Sequence, residues 1–128
     1  MEIHAVATES APDALGPYSQ AIRCGDMVYV SGQLPLVRAT GKLIDGGIRE
    51  QTLQLFENLR AILETAGSSL ANVVKVTVFI AEWSDFAAFN EAYSALFEAP
   101  FPARSTIQNS RPMNALVGAD VIAAIRTP

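Results

Sequence analysis

The sequence predicts an α+β fold: one mixed β-sheet carrying two helices on the same face. Three observations lead there. Val73 to Ile80, VVKVTVFI, is too rich in β-branched residues to be anything but a strand. Ile48 to Ala66 repeats apolar side chains at helical spacing. The remaining extended runs fall before the first helix and after the second, so strands and helices alternate only in the middle of the chain. At 128 residues, the chain is expected to form a single domain spanning residues 1–128.

In chain order, Ile3 to Ala7 alternates weakly and predicts a short first strand, followed by a loop punctuated by Pro12, Gly16 and Pro17. GPYSQAI, Gly16 to Ile22, leads into a second strand through Arg23. Gly25 and Asp26 signal a turn, and MVYVS, Met27 to Ser31, reads as the hairpin partner. Gln33 to Gly47 reads as a loop with a turn at Thr40 to Lys42, and it lacks the glycine spacing of a phosphate-binding loop. The helix from Ile48 packs Leu55, Phe56, Leu59, Ile62 and Leu63 inward and stops at Gly67. In the strand that follows, Val74, Val76, Val78 and Ile80 are expected on one face, with Lys75 and Thr77 on the other. Ser84 or Asp85 caps a second helix running to about Phe97, with Phe86, Phe89, Tyr93, Leu96 and Phe97 on its apolar face and Asn90 beside it. Pro100 and Pro102 force extended chain into FPARSTI, and a last strand is expected from Leu116 to Ile125. No third helix remains for the other sheet face, which a second copy of the chain would cover most simply.

Composition narrows the function. The net charge is −4 and the basic residues are scattered, which disfavours nucleic-acid binding. One cysteine, Cys24, and one histidine, His4, provide neither an internal disulfide nor a structural zinc site. The acidic amino terminus has no apolar core of a secretory signal and no stretch reaches membrane-span length, so a soluble, cytoplasmic protein with no membrane partner is expected.

Arg104 is the one charged side chain set inside the strand-like run FPARSTI. Its planar fork of donors matches a carboxylate. Judged on its own, such an arginine more often pairs with an internal acid or snorkels to the surface.

Several segments then line up in order: GPYSQAI, VYVSGQLP, the amphipathic helix ending in AG, VVKVTVFI, DFAAFNEAY and FPARST. In this order the chain resembles the Rid family of reactive-intermediate or imine deaminases, also called the YjgF family. That resemblance implies a chorismate-mutase-like α+β fold and a homotrimer with a central barrel and ligand sites at its subunit interfaces. It implies that Arg104 holds the carboxylate of a 2-imino or 2-enamino acid such as 2-aminoacrylate, which water converts to a 2-keto acid and ammonia without a cofactor. Tyr18, Ser31, Gly32 and Asn90 match pocket residues, and groups around Ser105 and Thr106 adjoin the clamp.

Two departures stand out. Thr106 replaces a cysteine common in the family. VGAD, Val117 to Asp120, stands where active members read VEIE or VEID, putting Gly118 at the first acidic position. Asp120, two residues on and on the same strand face, either replaces the missing acid or, as the matching family residue usually does, plays a structural part. The vacated side chain implies either a wider pocket or a non-catalytic module that binds 2-keto acids. Ribonuclease, a label this family has also carried, is disfavoured by the acidic balance.

Overall fold

The computed structural model describes residues 1–125. The strands are β1 (Ile3–Val6), β2 (Ala21–Cys24), β3 (Met27–Gln33), β4 (Leu36–Val37), β5 (Lys42–Leu43), β6 (Val73–Ile80), β7 (Ala103–Gln108) and β8 (Val117–Ala124), and the helices are α1 (Ile48–Thr65) and α2 (Phe86–Ser94). Six strands form one sheet in the order β1-β2-β3-β8-β6-β7, while β4 and β5 pair as a separate hairpin. All neighbours in the large sheet are antiparallel except β6 and β7, which α2 connects in parallel. The mixed sheet expected from the sequence is therefore present, with β7 at its edge.

Both helices lie on one face, and the core sits between them and the sheet. Leu55, Phe56, Leu59, Ile62 and Leu63 of α1 and Phe89 of α2 meet Val28, Val30, Val76, Val78, Ile80, Val117 and Val121 of the strands, all buried. Each large side chain so buried contributes roughly 1.5–3 kcal/mol relative to exposure. At the start of α1 the backbone N–H of Gly47 donates to Glu50 Oε1 at 2.9 Å. At its end Gly67 takes a left-handed φ of 91°. Ser68 N–H then donates to the Leu63 carbonyl at 2.8 Å and Gly67 N–H to that of Glu64 at 3.1 Å, a Schellman termination.

Three expectations need correcting. Val74 does not join Val76, Val78 and Ile80 in the core: the ladder to β8 slips between Val73 and Lys75, so Val73 is buried and Val74 is 46% exposed. One extra residue in one strand reverses the alternation beyond it. The second helix ends at Ser94, where a tight turn with Leu96 N–H donating to the Tyr93 carbonyl takes over, yet Phe97 still packs 4.9 Å from Tyr93 ring to ring. The region from Gln33 to Gly47 is also not all loop, since β4 and β5 pair around Gly41 (φ 68°). Asn58 of α1 pins that hairpin by donating to the carbonyls of Leu34 and Leu36 at 3.1 and 2.9 Å.

The opposite face of the sheet carries no helix among the described residues. Tyr29 and Ile107 project from it, 46% and 44% exposed.

Candidate anion site

Cross-strand register decides where each functional side chain points, because residues directly opposite one another share a face. Arg104 stands in one row with Val76 and Val121, which places it on the helix face at the sheet edge. There its guanidinium carbon lies 4.8 Å from the ring centre of Tyr93, 5.4 Å from Phe89 and 5.8 Å from Phe86, all on α2. None of the ion pairs among the described residues includes Arg104. An arginine stacked on aromatic faces keeps its charge and its in-plane donors, and without an internal acid those donors are available to an incoming anion. The cavity beside it, about 280 Å³, is lined by Asn90, Tyr93, Ser94, Phe101, Pro102 and Arg104. The Tyr93 hydroxyl is buried without a hydrogen-bond partner among the described residues. Burial raises its pKa, and the nearby Arg104 charge opposes that rise.

The next row is on the other face. Asp120 stands opposite Thr77, and Thr77 opposite Ser105. Lys75 Nζ donates to Ser105 Oγ at 2.9 Å. Burial pushes the Asp120 carboxyl above its ordinary pKa, against the pull of the Lys75 charge and a hydrogen bond from Thr77. Within one chain, Asp120 and Ser105 therefore face away from Arg104, whereas Thr106 shares its face.

A third group gathers near β3. The Ser31 hydroxyl donates to the Ser19 carbonyl at 2.6 Å, and Ser31 N–H donates to that of Gln20 at 2.9 Å. Gly32 sits in the register slip between Val30 and Gln33, exposed, and a methyl group added to it would meet nothing within 4 Å. Tyr18 is half-exposed, its hydroxyl 3.4 Å from the Leu15 N–H that donates to it, and it borders a separate cavity of about 340 Å³ with Ser19, Gln20 and Arg38.

The structure thus brings Arg104 and Asn90 together, with Thr106 on the same face, and groups Asp120 with Ser105. Tyr18, Ser31 and Gly32 stand apart, around β3, three strands in from β7. Sequence reasoning missed the aromatic platform. Phe86, Phe89 and Tyr93 read as an ordinary core stripe, and only the parallel pairing of β7 with β6 reveals that Arg104 lies over them. It also missed Lys75 as a partner of Ser105, although both were placed in strands. Among the described residues no cluster of three or more His, Cys, Asp or Glu side chains offers a metal site, and no helix is long and apolar enough to cross a membrane.

Comparison with known proteins bears on the same features. A family model described as Endoribonuclease L-PSP matches residues 8–125. The chain is 44% identical over 121 residues to Reactive Intermediate Deaminase A, chloroplastic, of Arabidopsis thaliana, covering 94% of this chain and 65% of that protein. It is 40% identical over 121 residues to the 2-iminobutanoate/2-iminopropanoate deaminase of Dermatophagoides farinae, covering 94% of each. Among solved structures it resembles E. coli TdcF with bound serine, with a TM-score of 0.90 and 36% identity over 97% of this chain and 99% of that one. With a family match across nearly all of its length, the chain belongs to the Endoribonuclease L-PSP family, the group to which its motifs point under the names Rid and YjgF.

Proposed function

We propose that this chain is an imine deaminase acting on small 2-imino and 2-enamino acids, converting them to 2-keto acids and ammonia. The observation that carries this reading is Arg104: a permanently charged, acid-free guanidinium held on an aromatic platform beside a small cavity. Relatives named for 2-iminobutanoate and 2-iminopropanoate support the substrate class, and a structural relative solved with serine supports a small amino-acid-like carboxylate as the guest.

The chemistry needs modest help. An enamine tautomerises to the imine by taking a proton on carbon and giving one up from nitrogen. Water then adds to the imine carbon, both of its protons pass in turn to nitrogen, and the C–N bond breaks to leave the keto acid and ammonia. A protein accelerates this by fixing the carboxylate, placing the water and relaying the proton. In this proposal Arg104 fixes the carboxylate, with Asn90 and Thr106 beside it. Asp120, whose proton affinity burial has raised, relays the proton. Tyr18, Ser31, Gly32 and the backbone at Ser105 shape the remaining wall.

Because Arg104 and Asp120 face opposite ways in one chain, they serve one ligand only if two copies each supply half of the site. A homotrimer closing the helix-free sheet faces into a barrel satisfies both needs, and the cytoplasm is the proposed setting. No cofactor or nucleic acid enters. One observation favours a second reading, a 2-keto acid binding module without catalysis: Gly118 puts no acid at the position beside Arg111 and Gln33.

The test is a coupled assay in which an amino-acid oxidase generates imines and semicarbazone formation is followed with wild type, Arg104→Ala and Asp120→Ala. Faster imine loss with wild type, abolished in Arg104→Ala, is expected, with a slower rate in Asp120→Ala. No acceleration across several imines, with pyruvate still bound, would replace the enzyme by the binding module.

A further inference from the structure

We propose that Arg111 is a second anion-recognising group, and that the preferred ligand is a dicarboxylic 2-imino or 2-oxo acid. The inference rests on the two-copy site just proposed and adds to it the substrate class.

Gly118 lies on the helix-free face, opposite Phe79 of β6. A methyl group there would stand 3.1 Å from the Gln33 carbonyl oxygen, 3.3 Å from Arg111 Cδ and 3.5 Å from its Nη1. The space left by the missing side chain is therefore not an enlarged pocket; the side chain of Arg111 runs through it. Its guanidinium carbon stacks 4.6 Å from the centre of the Phe79 ring. Nε–H donates to Asn109 Oδ1 at 3.0 Å and to the Ser110 carbonyl at 3.2 Å. The stack and the Nε bonds hold the group from its face and from its inner edge.

Its outer edge is unused. Neither terminal amine donates to a protein acceptor among the described residues, and no carboxylate there lies within ion-pairing distance. Two parallel N–H donors held in a plane match a carboxylate bidentately. Arg111 thus repeats the features of Arg104 on the opposite face: an aromatic seat, no internal acid, and free donors. Across a two-copy site, Arg104 of one copy holds the carboxylate next to the imine carbon, and Arg111 of the next holds a second carboxylate at the far end. A monocarboxylic imine leaves Arg111 unanswered, whereas a dicarboxylic one satisfies both charges.

Calorimetric titration separates the two readings. The probes are 2-oxoglutarate and 2-oxopentanoate, five-carbon keto acids that differ in the second carboxylate, and the proteins are wild type, Arg111→Met, Arg111→Lys and Arg104→Met. Wild type should bind 2-oxoglutarate about tenfold or more tightly than 2-oxopentanoate, the usual worth of a charge-assisted pair. Arg111→Met should lose that preference while holding 2-oxopentanoate within about twofold of wild type, and Arg111→Lys should keep part of it. Arg104→Met should weaken both acids.

No preference in wild type, or a preference that survives Arg111→Met, overturns the inference. So does an Arg111→Met protein that dissociates into single copies while wild type shows no preference, since Arg111 would then be pairing with an acid of another copy. If 2-oxopentanoate binds through Arg104 but 2-oxoglutarate binds no better, the dicarboxylate inference falls alone. If neither acid binds, the Arg104 clamp falls and this inference with it.

Discussion

The two faces of the sheet are built from the same strands and follow opposite rules. On the helix face, the row Val121, Val76, Arg104 runs from dry core to a single cation at the edge; one residue further along, Asp120, Thr77 and Ser105 form a wholly polar row on the other face. The helix face is completed within the chain by α1 and α2. The other face leaves Tyr29 and Ile107 half in water and keeps a lysine and a carboxylate among them. A cation can sit at the border of a core when aromatic faces receive it and its donors remain free. A face that mixes apolar and charged groups without covering elements is instead suited to contact with further protein.

The largest expected effect sharpens that contrast. Phe56 is fully buried and meets Tyr93 and Phe97 edge-to-face, 5.6 and 5.8 Å between ring centres. Phe56→Ala should cost about 3–5 kcal/mol in denaturant unfolding. Ile107→Ala, on the helix-free face, should cost under about 1 kcal/mol in dilute protein. A loss for Ile107→Ala that grows with protein concentration would place another copy over that face, and a large loss at every dilution would break the contrast.

A smaller effect compares two glycines in neighbouring strands, Gly118 of β8 and Gly32 of β3. At Gly118 an added methyl meets the Gln33 carbonyl at 3.1 Å, while at Gly32 it meets nothing within 4 Å. Backbone carbonyls yield less readily than side-chain ends, so Gly118→Ala should destabilise by about 1–3 kcal/mol and Gly32→Ala by under about 0.5 kcal/mol. Thermal melts of the two variants measure this directly. Equal melting temperatures would mean that β3 and β8 shift apart at no cost and that Gly118 is not shaped by close approach.

Much of this was legible in the sequence because period and punctuation are local. Val76, Val78 and Ile80 declare a strand through β-branching, and Gly67 ends α1 through the left-handed conformation that glycine tolerates best. The motifs around Tyr18, Ser31 and Arg104 carried the family. What escaped was set by pairing between distant segments. The slip at Val73 and Lys75 depends on how β6 meets β8, which no pattern within VVKVTVFI announces. Arg104 and Asp120 look like partners along the chain, yet register puts them on opposite faces. Arg111 read only as part of a turn-prone stretch, because its seat on Phe79 is made by a residue 32 positions away in the sequence.

The smallest expected effect concerns Asp120, the one carboxylate of the polar row. Burial raises its pKa in the fold above the value it has in the unfolded chain, despite the opposing Lys75 charge and Thr77 bond. A carboxyl that holds its proton more tightly when folded favours folding fully at pH below the ordinary carboxylate value, about 4, and loses that contribution as pH rises through the folded value. At pH 7 the ionised Asp120 is therefore a net cost to the fold, and Asp120→Asn, which imitates the protonated form, should remove it. The variant should melt a few degrees higher than wild type at pH 7 at most, with the gap closing below about pH 4. A gap that does not change with pH, or a variant that melts lower at pH 7, would mean that attraction to Lys75 outweighs burial. In that case Asp120 is a structural partner of the lysine and lacks the raised proton affinity on which its proposed part in proton transfer depends.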